Sequence, residues 1–194
     1  MSSVSSIAEN RSRTKPGGLL TRFRRDRKGS VAIEFTMLAI PFSLLVFAIL
    51  ESCIAFAGQE VLANATDDIA RQMRTGQIKT VNETELKDYV CNRLDIIVTK
   101  KCPGLKVDLR NFTNFDEAAK LSFRIDKTNS KVVLTNAGND DVVQVNLGPA
   151  GSKNMLRVFY KWPVVTDLMS KYLANMDDGS ALHFATMTWQ NEPY

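Results

Sequence analysis

The sequence predicts an α+β protein in which a long N-terminal helix, partly membrane-spanning and partly amphipathic, packs against an antiparallel sheet of about four to six strands. Three observations lead there. Residues Val31 to Leu50 are apolar almost without interruption. Val61, Leu62, Ala65, Ile69 and Met73 then recur at near-helical spacing, with polar and charged residues between them. Beyond Gly104 the apolar period changes from helical to two.

The first stretch, residues 1–29, is a basic leader rich in Ser, Arg, Pro and Gly, without a sustained period. It carries eight Lys/Arg against Glu9 and Asp26, while residues 30–194 carry seventeen Lys/Arg against nineteen Asp/Glu. The leader is thus strongly positive and the rest of the chain slightly negative, which together give the overall +4. Such a distribution speaks against a nucleic-acid-binding domain. By the positive-inside rule, it predicts a cytoplasmic N-terminus and an exported C-terminal domain.

The apolar stretch comes next. A helix of about 20 residues is about 30 Å long, the thickness of a bilayer's hydrocarbon core. Soluble helices are rarely apolar on every face over that length. Residues 30–57 are accordingly read as a transmembrane helix and 58–194 as an exported domain. Pro41 lies inside the helix, where membrane surroundings tolerate it and a kink is expected. The helix should continue to about Thr75, roughly 67 Å in all, with Gly58 as a candidate joint and Gly76 as the stop.

A second helix is expected from Glu83 to about Val98, opened by a capping box of Asn82 and Glu85. Cys91 and Cys102 flank its end, and in an oxidising, exported setting they read as a disulfide. Cys53 reads as a small apolar residue at the membrane exit. Strands are expected around Leu105–Leu109, Leu121–Ile125, Val132–Leu134, Val143–Leu147, Leu156–Trp162 and Leu182–Gln190. Turns are expected at 126–130 and 136–141, and a short helix at Thr166–Met176. Alternation along the strands predicts a sheet with one polar face, its other face on the long helix.

The chemistry of interest sits at the start of the apolar run. Glu34 is the fifth residue counting from Ser30, and a charged group inside a membrane costs at least about 2.5 kcal/mol unless partnered. Cleavage after Gly29 would create a positive amine on Ser30, which the Glu34 of a neighbouring subunit could neutralise. The alternative is a Glu34 that snorkels to the headgroups.

This arrangement, Arg24-Arg-Asp-Arg-Lys-Gly29-Ser-Val-Ala-Ile-Glu34-Phe35, resembles the processing signal of type IV pilins and pseudopilins, and most closely that of the TadE-like family of the tight-adherence (Flp pilus) system. The C-terminal Asn191-Glu192-Pro193-Tyr194 and the segment Arg157-Val-Phe-Tyr-Lys-Trp-Pro163 are similar to that family as well. The resemblance implies a pilin-like lollipop and processing between Gly29 and Ser30 by a prepilin peptidase. It also implies packing through Glu34 and Phe35 against other pilin and pseudopilin subunits, and contact with an inner-membrane assembly platform and membrane lipid. The implied location is a bacterial inner membrane, with the domain periplasmic or extracellular.

A rival reading takes Ala55-Phe-Ala57 as an ordinary secretory cleavage site that releases a binding domain beginning at Gly58. An enzyme is not indicated, because no nucleophile elbow, phosphate loop or Cys/His pairing occurs. His183 is the only histidine, and the cysteine spacing does not suit zinc. No cofactor is expected. The paired acids Asp67-Asp68, Asp140-Asp141 and Asp177-Asp178 lack the spacing of a calcium loop and read as solvated turns.

Overall fold

The structure is a computed structural model that describes residues 30–98, 101–126, 128–135 and 142–193. The leader, the 136–141 turn and Tyr194 lie outside the described residues. In chain order the elements are α1 (Ser30–Arg74), α2 (Glu83–Leu94), β1 (Leu105–Phe112), α3 (Phe115–Ala119), β2 (Ser122–Asp126), β3 (Lys131–Thr135), β4 (Lys153–Trp162), α4 (Asp167–Leu173) and β5 (Ala181–Gln190). The chain divides into two units, Met1–Leu45 and Val46–Tyr194.

α1 is one 45-residue helix with Pro41 inside it. Arg71 and Arg74 lie in its last turn, where cations complement the helix dipole. Gly76 then adopts φ +74°, the left-handed conformation that ends helices at low cost. α2 opens with the expected capping box: the Glu85 N–H donates to Asn82 Oδ1 at 2.9 Å, and the Asn82 N–H donates to Glu85 Oε2 at 3.1 Å. The helix stops at Leu94 and does not reach Val98. The Ile97 and Val98 N–H groups both turn back to the Leu94 carbonyl, at 2.9 and 3.0 Å, and tighten the end into a turn.

β1, β4 and β5 form a three-stranded antiparallel sheet in the order β1-β4-β5, while β2 and β3 form a separate two-stranded antiparallel sheet. The five strands thus divide between two sheets. The 143–147 segment is not a strand. It makes a single parallel bridge, Val145 to Leu109, with the Leu109 N–H on the Gln144 carbonyl and the Asn146 N–H on the Leu109 carbonyl. α3 was not anticipated. It is only five residues long, too short for a periodic signal, although Asn114 caps it by accepting from the Glu117 N–H.

The larger sheet is covered on both faces, which corrects the expectation of a polar face. On one face Val107, Leu109, Leu156, Val158, Tyr160, Trp162, Ala181, Ala185 and Trp189 meet Ala55, Leu62, Ile69, Ala70 and Met73 of α1, and Leu86, Val90 and Leu94 of α2. On the other face Phe159 and Leu182 join Val132 and Leu134 of the small sheet and Met176. Phe123 packs edge-on to Phe159 with ring centroids 5.0 Å apart. The polar alternates of β1 and β4 on that second face are therefore buried: Asp108, Arg110 and Arg157 all lose water.

Gly58 lies in the interior of α1 rather than at a joint. A Cβ there would fall 2.5 Å from the Trp162 ring, so the glycine makes room for the indole. Trp162 in turn stacks on His183, with centroids 5.1 Å apart and planes 15° apart.

Candidate functional site

In the Met1–Leu45 unit the described residues belong to α1. Gly29 lies outside the described residues, and Ser30 is the first helical residue. Glu34 and Phe35 are both exposed, Phe35 at 71%. Val31, Met37, Leu38 and Phe42 are exposed as well. α1 is long and apolar enough to cross a membrane, and none of its most apolar window is buried. The Thr36 hydroxyl donates to the Ala32 carbonyl at 2.8 Å, which satisfies that hydroxyl within the helix.

In the Val46–Tyr194 unit one end of the domain is built around Glu51. Phe47, Leu50, Glu51 and Ile54 share one helical face, spaced three or four residues apart. Glu51 Oε1 accepts from the Val165 N–H at 2.6 Å and from the Thr166 N–H at 3.2 Å. Its other oxygen accepts from the Thr166 hydroxyl. Thr166 is the N-cap of α4, and its hydroxyl oxygen also accepts from the Met169 N–H at 3.3 Å. A carboxylate from one helix thus completes the cap of another, where a negative charge is favoured by the free N–H groups. Beside it lies an open groove of about 470 Å³ lined by Phe47, Leu50, Ile54, Val98, Trp162 and Val165, among others.

Glu51→Ala is expected to release this end of the domain, at a cost of about 1 kcal/mol, typical of a lost cap. The direct readout is hydrogen exchange. The amides of Val165, Thr166 and Met169 should exchange faster than in the parent protein, and unchanged protection there would contradict the role assigned to Glu51.

The other anticipated residues fall into place differently. Cys91 and Cys102 form a disulfide, and Cys102 is buried in the main core. Cys53 is an exposed free thiol on α1. His183 is buried, its Nδ1 has no hydrogen-bond partner among the described residues, and burial pushes its pKa down. It behaves as part of the core. Asp178 is held by Lys161, whose Nζ lies 2.7 Å from its Oδ2, and by Ser180, which together lower its pKa to about 2. Among the described residues no three His, Cys, Asp or Glu side chains converge as a metal site requires.

The C-terminal motif closes the domain onto α1. Asn191 is buried, accepts from the Trp189 indole N–H at 2.8 Å and donates to the Gly148 carbonyl at 2.8 Å. The Glu192 N–H donates to the Arg74 carbonyl at 2.9 Å, and the Glu192 carboxylate pairs with the Arg74 side chain at 3.3 Å.

Sequence reasoning missed Glu51 as a tether and the buried Asp108–Arg110–Arg157 cluster. Glu51 carried a usable signal, a lone carboxylate at the end of an apolar run. The cluster carried none, because acids and bases alternating with apolar residues read as a wet sheet face.

Among curated proteins and solved structures the chain has no significant match. Residues 29–71, the segment that begins at the Gly29–Ser30 boundary and ends one turn short of the close of α1, match the model of the family described as TadE-like protein.

Proposed function

We propose that this chain is a minor pseudopilin of a tight-adherence pilus, cleaved between Gly29 and Ser30 by a prepilin peptidase and retained by residues 30–57 in the inner membrane. The TadE-like match and the exposed apolar helix fit a membrane protein related to that pilus. The observation that carries the reading is where the match lies: it starts at Gly29 and runs along α1, so it covers the boundary, Glu34 and the apolar run together. In this role the protein acts by packing and not by turnover. Glu34 and Phe35 face other pilin or pseudopilin subunits, and the Val46–Tyr194 unit presents its surface to the assembly platform or to the filament.

The rival, a domain released after Ala57, is disfavoured by what such a cut would remove. Ala55 is part of the main core and Glu51 caps α4, so a domain starting at Gly58 would lose both.

The test is the N-terminal residue of the protein recovered from bacterial membranes, read by Edman degradation or mass spectrometry. Ser30 is expected. A protein beginning at Gly58, or one with the leader intact, would overturn pseudopilin processing.

A further inference from the structure

We propose that α4 is an interfacial foot: its exposed apolar stripe and the groove beside it rest in the headgroup layer of the bilayer that the N-terminal part of α1 crosses. The proposal rests on the membrane-spanning reading of α1 and adds a second lipid-binding surface to it.

The first argument is the composition of α4. None of its residues is fully buried. Leu168 and Tyr172, four apart, share one face of α4 and are 44% and 78% exposed, and Val165, just before the N-cap, is 85% exposed. Lys171 is exposed next to them. Asp167 is exposed as well, so the case rests on the apolar and aromatic side chains and not on net charge: such residues suit the headgroup layer, and Tyr is enriched at that depth. In water the same stripe would be an unexplained apolar exposure.

The second argument is position. Counting about 20 residues from Val31 brings the apolar run to Leu50, at the edge of the hydrocarbon. The next residue is Glu51, whose carboxylate holds the Val165 and Thr166 N–H groups at 2.6 and 3.2 Å. That bond fixes the N-terminus of α4 at the level where lipid tails give way to headgroups. A carboxylate at this level also has its hydrogen bonds supplied by protein, so it need not draw water into the interface.

The third argument is the groove. Phe47, Leu50 and Ile54 form one wall, and Trp162, Pro163 and Val165 are on the domain side. Two of its wall residues, Phe47 and Leu50, fall within the apolar run itself. A lipid acyl chain is the neighbour already present at that depth, and an apolar chain is what such a lining accepts.

The test uses the full chain in nanodiscs of phosphatidylcholine and phosphatidylglycerol, in a Cys53→Ser background that keeps the Cys91–Cys102 disulfide. A bimane label is placed through Leu168→Cys or Tyr172→Cys, with Leu45→Cys as a helix control and Thr128→Cys as a control in the β2–β3 turn. Each sample is quenched separately with shallow doxyl lipid and with aqueous iodide. At 168 and 172 we expect lipid quenching several-fold above that at 128, and iodide quenching several-fold below it. If both sites respond like 128 while 45 is quenched by lipid, the foot is wrong and the spanning helix stands. Protection from both quenchers would mean that protein covers α4, which also overturns the lipid assignment. Should 45 itself escape lipid quenching, the spanning reading falls and the foot falls with it.

Discussion

Glu34→Ala is expected to reduce incorporation of the protein into pili on the order of a hundredfold, while its amount in the membrane fraction stays near that of the parent. Cleavage before Ser30, as proposed, would leave a positive amine at the start of an apolar helix, and an unpartnered charge in that setting costs about 2.5 to 3.5 kcal/mol. A neighbouring Glu34 would remove that cost only when two subunits pack, so the loss appears in assembly and not in insertion. Insertion depends on the apolar run from Val31 to Leu50, which the substitution leaves intact. Folding of the domain should also be spared, because Glu34 belongs to the Met1–Leu45 unit. Glu34→Asp should recover part of the loss by restoring the charge at a shorter reach. Sheared-pilus and membrane fractions compared by immunoblot decide the matter, and parent-like incorporation of the Ala variant would exclude charge pairing.

The second large effect is in the domain. Asp108→Ala is expected to destabilise it by about 3 to 5 kcal/mol, the range for breaking a buried ion pair from one side. Arg110 Nε lies 3.0 Å from both Asp108 carboxylate oxygens. Arg157 reaches Oδ2 through Nε at 3.1 Å and Nη2 at 2.8 Å. The Gln144 N–H adds a bond to Oδ1 at 3.0 Å. All three side chains are buried, with Asp108 at 0% exposure. Removing the carboxylate leaves two guanidinium groups without their counter-ion and frees the 142–146 segment, which Arg110 also holds through the Val142 carbonyl at 2.6 Å.

Domains of this size have about 5 to 15 kcal/mol of stability in all, so the variant should unfold at a much lower urea concentration. Trp162 and Trp189, both buried, report the transition by fluorescence in the detergent-solubilised chain. Replacing all three charges, Asp108→Leu with Arg110→Met and Arg157→Met, should recover most of the loss, because the cost comes from leaving charges unmatched and not from losing them. A loss below about 1 kcal/mol for Asp108→Ala would show that water reaches the site and that the cluster is not buried in solution.

The Asp108 cluster also marks where local pattern stops informing. In β1 the alternation of Leu105, Val107 and Leu109 with Lys106, Asp108 and Arg110 states which residues share a face. It does not state whether the polar face meets water or a second sheet. That depends on β2 and β3, five residues each, folding back over β4 through Phe123, Val132 and Leu134. Val143, Val145 and Leu147 alternate as well as any strand here, yet only Val145 pairs, because Arg110 and Asp108 bind the backbone at 142 and 144. Glu51 shows the same limit, since its partner is 114 residues away in sequence.

What the sequence determined by itself is what depends on near neighbours: the apolar run of α1 with Glu34 near its start, the Gly29–Glu34 spacing, the Asn82–Glu85 cap, the Gly76 stop and the positions of β1, β4 and β5. These follow from periodicity, capping chemistry and backbone conformations that act within a few residues. Tertiary structure alone decided the split into two sheets, the burial of Asp108 with two arginines, the fit of Trp162 against Gly58 and the capture of α4 by Glu51. Each of these joins groups far apart in the chain. Burial on the far side of a strand, or at the end of a distant helix, leaves no periodic trace in the residues that undergo it.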